Sequence, residues 1–175
     1  MPARLLIEAR PGAGKTTVLG RLAERLRDDG VALSGFLTRE MRGDGRRRVG
    51  FEIETFEGER GLLAHVDIEG PPRVGRYGVD LEEFERLALP AVEAPSGGVV
   101  LIDELGKMEL ASERFREAVH ALFESPVPIA ATVHTARHPF TDALKRRRGV
   151  STIRLSAANR DRLPSEVAER LLAGI

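Results

Sequence analysis

The sequence of 175 residues contains no cysteine, which excludes disulfide bonds and thiol chemistry. It also has no apolar run approaching the ~20 residues that a membrane-spanning helix needs, and its first residues lack the apolar stretch of a secretory signal. We therefore expect a cytoplasmic protein with no membrane partner. The chain length and the 42% of hydrophobic residues predict one globular domain over residues 1–175.

A net charge is missing as well, because 27 acidic residues balance 27 basic ones. A protein that mainly binds nucleic acid usually carries a basic excess that neutralises phosphates. Aromatic side chains, which stack on bases, make up only 5% of this sequence. We therefore do not expect nucleic acid as the main partner. No stripe of residues resembles an interface, so we expect a monomer.

Stretches typical of buried strands alternate along the sequence with stretches typical of helices. Strands are predicted at 3–9, 31–40, 98–103, 128–133 and 151–155. Helices are predicted at 15–29, 81–89, 112–123, 139–148 and 163–172, with Asp80 as the cap of the second and Ser112 as the start of the third. The alternation predicts a three-layer α/β fold, in which a mainly parallel sheet has helices on both faces.

The middle of the chain carries a different pattern. The turn Gly43-Asp44-Gly45 leads into residues 49–56, where apolar and polar side chains alternate, and this predicts an added antiparallel hairpin. A further β segment is expected near 62–66. Residues 67–80 are rich in glycine and proline, so they are predicted to form a surface loop.

Residues 9–17 lie between the first predicted strand and the first predicted helix. They read Ala9, Arg10, Pro11, Gly12, Ala13, Gly14, Lys15, Thr16 and Thr17. This matches the P-loop pattern G-x-x-x-x-G-K-[ST] except that its first glycine is Ala9. In such a loop the backbone N–H groups and the helix N-terminus hold a polyphosphate, the lysine reaches the β- and γ-phosphates, and the hydroxyl binds Mg²⁺. The sequence therefore predicts a nucleotide site with Mg²⁺ as its cofactor.

The most apolar predicted strand ends in two acids, Asp103 and Glu104. Ligands of parallel sheets lie at the carboxyl ends of the strands, so these acids are predicted to face the P-loop. Asp103 suits the Walker B task of holding Mg²⁺ through its water shell, together with Thr16. Glu104 suits the task of orienting or deprotonating the attacking water, which would make Glu104 and Lys15 the catalytic pair. Alternatively, both acids only solvate the end of a strand or cap the next turn.

Several segments resemble the thermophile-type, or cancer-related, nucleoside-triphosphatase family. They are residues 10–17, 35–40, 74–81, 102–110 and 158–161. The resemblance implies a RecA-like P-loop core. It also implies hydrolysis of ATP, GTP, CTP, UTP and TTP with little base preference, and slower action on diphosphates. Besides residues 9–16, it assigns to the nucleotide site Val100, Leu101, Ile102, Asp103, Glu104, Leu105, Gly106 and Lys107.

Other residues are weaker candidates, each with an ordinary structural explanation. Arg137 or the run Arg146, Arg147 and Arg148 could supply an arginine finger, or could form a solvated face. Lys107 could approach the phosphates or pair with Glu109. Glu40 could reach the attacking water or end a strand in solvent. Asn159 and Arg160 could contact the base, or Asn159 could cap a helix, and Tyr77 could stack on a base or cover the core.

Three functions remain open from the residues. The first is a hydrolase that transfers the γ-phosphate to water, and Glu104 beside Asp103 favours it. The second is a P-loop kinase that transfers the phosphate to a small acceptor. The third is a nucleotide-switched interaction protein in which hydrolysis sets the timing.

Overall fold

The computed structural model describes residues 1–93, 95 and 97–175, and in this part of the chain nine strands form one sheet. The strands are β1 (Arg4–Ala9), β2 (Leu33–Arg42), β3 (Arg48–Thr55), β4 (Arg60–His65), β5 (Arg73–Val74), β6 (Tyr77–Val79), β7 (Val99–Ile102), β8 (Ile129–His134) and β9 (Val150–Arg154). The helices are α1 (Lys15–Asp28), α2 (Leu81–Ala91), α3 (Glu113–Glu124), α4 (Pro139–Arg146) and α5 (Leu163–Leu172). No helix within these described ranges is long and apolar enough to cross a membrane.

The sheet has a parallel half and an antiparallel half. Its strand order is β5-β6-β4-β3-β2-β7-β8-β1-β9. The five strands from β2 to β9 in this order run parallel, and β3, β4, β6 and β5 continue the sheet beyond β2 as antiparallel neighbours. The predicted α/β class and the antiparallel addition are confirmed.

The antiparallel half is larger than the predicted hairpin, and the prediction of a loop over residues 67–80 was wrong in its second part. Residues 73–79 form β5 and β6, with Gly75 in the turn between them at a φ of 58°. Tyr77 and Val79 are buried in the hydrophobic core on one face of the sheet. The glycines and prolines of this segment therefore mark turns between short strands rather than an unpaired loop.

Each central strand contributes to two hydrophobic cores, one on each face of the sheet. In β7, Val100 and Ile102 belong to the core that α2 and α3 cover, whereas Val99 and Leu101 belong to the core that α1 covers with α5. This alternation follows from the period of two in a β-strand. Because both faces are covered, the strand is apolar throughout, as the sequence shows.

Helices α2 and α3 each begin at a capping side chain that accepts a hydrogen bond from a backbone N–H of the first turn. Asp80 accepts a hydrogen bond from the backbone N–H of Glu83 at 3.0 Å, and Ser112 accepts one from Phe115 at 3.0 Å. Both predicted helix starts are thus confirmed. The fourth helix is shorter than predicted and ends at Arg146, since Arg147 has an extended backbone.

The order of the parallel strands decides what meets at their carboxyl ends. Strand β8 lies between β1 and β7, so the loop after β1 and the acids after β7 are separated by only one strand. Adjacent strands are ~4.8 Å apart, which places the two loops within side-chain reach of each other.

Candidate active site

The P-loop begins where β1 ends at Ala9. The Ala9 side chain is only 1% exposed and packs in the core under α1, and its backbone φ is not positive. The methyl group therefore fills space in the core, which explains why alanine fits where the pattern has glycine. Gly12 and Gly14 do have positive φ values, 76° and 93°, which favour glycine strongly.

The first turn of α1 contacts the two acids that follow β7. Lys15 Nζ donates to Glu104 Oε2 at 2.6 Å, and Thr16 Oγ1 donates to Asp103 Oδ2 at 2.6 Å. The residues of each pair lie 89 and 87 positions apart in the chain. The structure therefore brings together the two segments that sequence analysis assigned to one site. The peptide bond between Asp103 and Glu104 is cis.

Asp103 is held rigidly at the bottom of the site. Its side chain is 1% exposed, and Oδ1 accepts a hydrogen bond from Thr132 Oγ1 at 2.7 Å while Oδ2 binds Thr16. Burial raises the pKa of Asp103, and the two hydroxyl donors oppose that shift. Both carboxylate oxygens of Asp103 are thus held by hydrogen bonds. The hydroxyl oxygen of Thr16 and the carboxylate of Asp103 lie together at the N-terminus of α1, and both are hard oxygen ligands.

Glu104 lies among three other charged or titratable groups. His134 Nε2 is 3.9 Å from Glu104 Oε1, on the side opposite the bond to Lys15. Burial lowers the pKa of His134, and the Lys15 ammonium lowers it further. Glu109 is fully buried and accepts a hydrogen bond from the Gly106 backbone N–H at 3.2 Å. Burial, followed by the charge of Glu104, raises the pKa of Glu109 well above its ordinary value.

Gly106 separates these two carboxyl groups. A β-carbon on Gly106 would lie 2.8 Å from Glu104 Oε1 and 3.0 Å from Glu109 Oε2. A side chain at this position would therefore displace the two carboxyl groups, whereas glycine leaves them in place on two sides of the loop.

Sequence analysis missed Thr132, Glu109 and His134 as members of this site. Thr132 did leave a signal, because it is the single hydroxyl in the buried run of β8. Glu109 was considered only as a partner of Lys107, and that pairing is wrong. Lys107 is exposed, whereas the Glu109 carboxylate faces the Gly106 backbone.

A cavity of about 810 Å³ opens from the P-loop and extends past the carboxyl end of β7 toward the antiparallel half of the sheet. Of the predicted nucleotide-facing residues it is lined by Pro11, Gly12, Gly14, Lys15, Thr16, Thr17, Asp103, Glu104, Leu105, Gly106 and Lys107. Val100, Leu101 and Ile102 instead have fully buried side chains in the two cores. They support the site from below, because strand residues in the middle of a covered sheet cannot reach its edge.

The basic candidates lie in different places. Arg137 lines the cavity and is 91% exposed, with Nε 3.5 Å from Asp142 Oδ2. Arg147 pairs with Glu124 at 3.1 Å, and Arg146 and Arg147 line a separate hollow beside α3. Among the arginine-finger candidates, only Arg137 is therefore placed at the cavity.

The loop after β9, which is the edge strand next to β1, also reaches the P-loop. Asn159 does not cap a helix, since α5 begins four residues later. Its side chain accepts from Ser156 N at 2.8 Å and donates to Arg154 O at 2.8 Å, so it closes the loop. Arg160 lies over the P-loop, because a β-carbon on Gly14 would be 3.4 Å from Arg160 Cδ.

Comparison with known proteins agrees with this geometry. The model of a family described as NTPase matches residues 4–168. The chain belongs to this NTPase family. The nucleoside-triphosphatase THEP1 of Thermotoga sp. (strain RQ2) is 40% identical over 166 residues, covering 94% of this chain and 92% of the relative. The cancer-related nucleoside-triphosphatase of Homo sapiens is 36% identical over 182 residues, covering 95% of each.

Solved structures show the same NTPase fold. The crystal structure of THEP1 from the hyperthermophile Aquifex aeolicus is similar with a TM-score of 0.86 and 34% identity, covering 96% of this chain and 98% of that one. The solution structure of the human cancer-related nucleoside triphosphatase is similar with a TM-score of 0.84 and 35% identity, covering 98% of each. The family resemblance and the P-loop fold predicted from the sequence are confirmed.

Proposed function

We propose that this NTPase hydrolyses nucleoside triphosphates to diphosphate and phosphate in a Mg²⁺-dependent reaction with little base preference. The observation that supports this most directly is the pair of 2.6 Å contacts, Lys15 with Glu104 and Thr16 with Asp103. They bring a phosphate-binding ammonium, a hydroxyl and two carboxylates to one end of the cavity. P-loop enzymes use groups of these kinds to transfer a phosphoryl group to water.

The P-loop would bind the phosphates through its backbone and through Lys15. The positive φ values at Gly12 and Gly14 turn the loop back on itself, and the N-terminus of α1 directs its partial positive charge into the turn. An ammonium group has three N–H donors, so Lys15 can keep its bond to Glu104 while it donates to a phosphate oxygen. Negative charge developing on the β- and γ-phosphates would then meet a fixed cation.

The oxygen donors of Thr16 and Asp103 fit Mg²⁺, which prefers hard oxygen ligands and keeps several waters. When bound, the ion would neutralise charge on the β- and γ-phosphate oxygens. Thr132 would hold Asp103 in place for this role through its 2.7 Å hydrogen bond. The fit rests on the chemistry of these oxygens and on their convergence in the structure.

Glu104 would orient the attacking water and accept its proton. The carboxylate is partly exposed at 24%, so that it can reach solvent in the cavity, and it is bordered by Lys15 and His134. A cation on one side and an imidazole on the other restrict its rotation, which is what positioning a water requires.

Little base preference follows from the side chains near the P-loop on the β9 side. Arg160 presents a flat guanidinium, which can stack on any base. The amide of Asn159 is already used by Ser156 and Arg154, so it is not available to read the edge of a base. Diphosphates would react more slowly because they lack the γ-phosphate. We expect the enzyme to act as a monomer without nucleic acid.

Release of free phosphate from ATP, GTP, CTP, UTP and TTP, measured with the purified protein and Mg²⁺ in the absence of any acceptor, tests this function. We expect similar rates for all five, loss of activity on chelation of Mg²⁺, and a fall of about 100-fold or more in Lys15→Ala and Glu104→Gln. Glu117→Gln, which changes an exposed glutamate of α3, is the control and keeps the full rate. A Glu104→Gln enzyme with the control's rate would remove Glu104 from the proposed role.

Transfer to a small acceptor is the second candidate, and the length of the cavity favours it. The cavity continues past Glu104 to side chains of β3, β4 and β6, so there is space for an acceptor beside the γ-phosphate. A kinase would release no free phosphate in this assay until an acceptor is supplied. Steady release without one assigns the activity to hydrolysis.

A further inference from the structure

The far end of the cavity is built by the antiparallel half of the sheet. We call this end the distal compartment and define it by Glu40, Arg48, Phe51, Leu63, Val74 and Tyr77. These residues come from β2, β3, β4, β5 and β6. The compartment therefore belongs to the part of the sheet that carries neither the P-loop nor the two acids.

A nucleotide bound at the P-loop would not need this space. Four strand spacings separate β1 from β3, which amounts to about 19 Å. Arg160, our candidate for base contact, approaches Gly14 from the β9 end of the sheet. The phosphates would thus run from the β1 loop toward Glu104, and the distal compartment would begin beyond the γ-phosphate.

The floor of the compartment is apolar and aromatic. Phe51 and Tyr77 pack edge to face with ring centroids 5.2 Å apart. Phe51 and Val74 are partly exposed in the cavity, whereas Tyr77 and Leu63 are almost fully buried at its lining. The guanidinium of Arg48 lies 5.3 Å from the Phe51 ring centroid and 5.8 Å from that of Tyr77. Such a surface buries the face of a flat organic molecule favourably.

The rim of the compartment carries an oriented guanidinium group, that of Arg48, which is paired with Glu40. Arg48 Nε donates to the Tyr77 hydroxyl at 3.0 Å, and Arg76 donates to the same oxygen at 3.1 Å. Glu40 binds Arg48 at 3.1 Å and Arg42 at 2.6 Å. Arg42 and Arg76 belong to this hydrogen-bonded cluster but do not line the cavity, so Arg48 is the cation that the cluster presents to the compartment. Stacking and hydrogen bonding hold Arg48 in place, so the cation is oriented before a ligand arrives.

We propose that the distal compartment binds a second ligand, a small organic anion with a flat apolar body, next to the terminal phosphate of the nucleotide. The apolar floor takes the body of the molecule, and Arg48 takes its anionic group. The proposal goes beyond the hydrolytic function, because it does not depend on whether the terminal phosphate is transferred to water.

Anilinonaphthalene sulfonate has this chemistry, since it joins flat aromatic rings to a sulfonate, and its fluorescence rises in apolar surroundings. We expect saturable binding of one probe per chain to the folded, full-length protein. Binding should persist in the presence of Mg²⁺ and a non-hydrolysable nucleoside triphosphate. The melting temperature is recorded alongside, because partly unfolded proteins also bind this probe.

Two variants and a control test whether the probe binds in the distal compartment. Arg48→Gln removes the charge, and Val74→Asp adds an opposing charge on a two-residue edge strand. Because Val74 also packs against the core, the melting temperature shows whether this variant keeps its fold. Each should weaken binding by about tenfold or more. Arg60→Gln is the matched control, because Arg60 is a 61% exposed arginine of β4 outside the compartment, and it should bind like the wild type.

Three results would overturn the proposal. They are the absence of saturable binding, equal affinity in Val74→Asp and Arg60→Gln, and competitive displacement of the probe by the triphosphate. The last result would make the compartment part of the nucleotide site. Because the readout is binding, a failure here is distinguishable from a failure of the hydrolysis assay.

Discussion

Removing the hydroxyl of Thr132 tests whether the site depends on the way Asp103 is held. Thr132→Val keeps the shape and the β-branch of the side chain, and it deletes only the donor that lies 2.7 Å from Asp103 Oδ1. Both side chains are buried, so no bulk water replaces the lost hydrogen bond. The variant therefore leaves one carboxylate oxygen buried without its donor.

The expected magnitude follows from that geometry. A buried acceptor that loses its partner costs about 1–3 kcal/mol of the free energy of unfolding. Loss of a residue that positions a metal-binding carboxylate lowers metal affinity or activity by about 10- to 100-fold. That fall corresponds to about 1.4–2.7 kcal/mol at the transition state. We expect both effects, with a higher Mg²⁺ concentration needed for half-maximal hydrolysis.

The assay is phosphate release as a function of Mg²⁺ concentration, combined with urea unfolding of the same preparations. Thr152→Val on β9 is the matched control, because Thr152 is a strand threonine exposed to solvent. It should change neither quantity. If Thr132→Val lowers the free energy of unfolding but leaves the Mg²⁺ dependence and kcat untouched, Thr132 is structural and the argument about Asp103 is refuted.

Two further predictions concern stability. Burial raises the pKa of Glu109 above its ordinary value of 4.5, so the folded state loses stability as the pH rises through the raised pKa. Glu109→Gln should therefore unfold at higher urea concentration than the wild type at about pH 8, with a smaller difference at about pH 5, whereas Glu113→Gln on the exposed face shows no such trend. Gly35→Ala should destabilise the fold by about 3 kcal/mol or more, because its β-carbon would lie 1.8 Å from the Leu101 carbonyl oxygen. Gly58→Ala, which also has a positive φ but open space around it, should cost only about 1–2 kcal/mol, and equal losses in urea unfolding would contradict the steric explanation.

The sequence could predict those parts of the site where a residue type and its local pattern are typical of a single role. Lys15 and Thr16 follow a glycine turn between a strand and a helix, and Asp103 ends an apolar strand. Each of these patterns points to the carboxyl edge of a sheet without any knowledge of strand order. Thr132 has no such pattern. A threonine in a strand is ordinary, and its role depends on β8 lying beside β7, which only the pairing of Ile102 with Ala131 reveals.

Glu109 shows a second limit of sequence reasoning. Its position two residues from Lys107 made an ion pair with that lysine one of two open interpretations. The three-residue 3₁₀ turn at Glu109–Ala111 instead turns the carboxyl group inward, where it accepts a hydrogen bond from the Gly106 N–H. Whether a glutamate in a loop points out or in depends on the backbone path of the loop, and charge patterns carry no information about that path.

The antiparallel half of the sheet was underestimated for a physical reason that also bears on the cavity. Strands β5 and β6 have two and three residues, too few for the alternation of apolar and polar side chains to stand out from a turn. They are stable because Tyr77 and Val79 reach the core and because the Tyr77 hydroxyl accepts hydrogen bonds from Arg48 on β3 and from Arg76. Two of these residues, Arg48 and Tyr77, also line the distal compartment. Short strands that a sequence pattern cannot resolve therefore add a second chemical environment beside the P-loop, and differences between members of the family in residues 40–80 should alter the distal compartment more than the phosphate site.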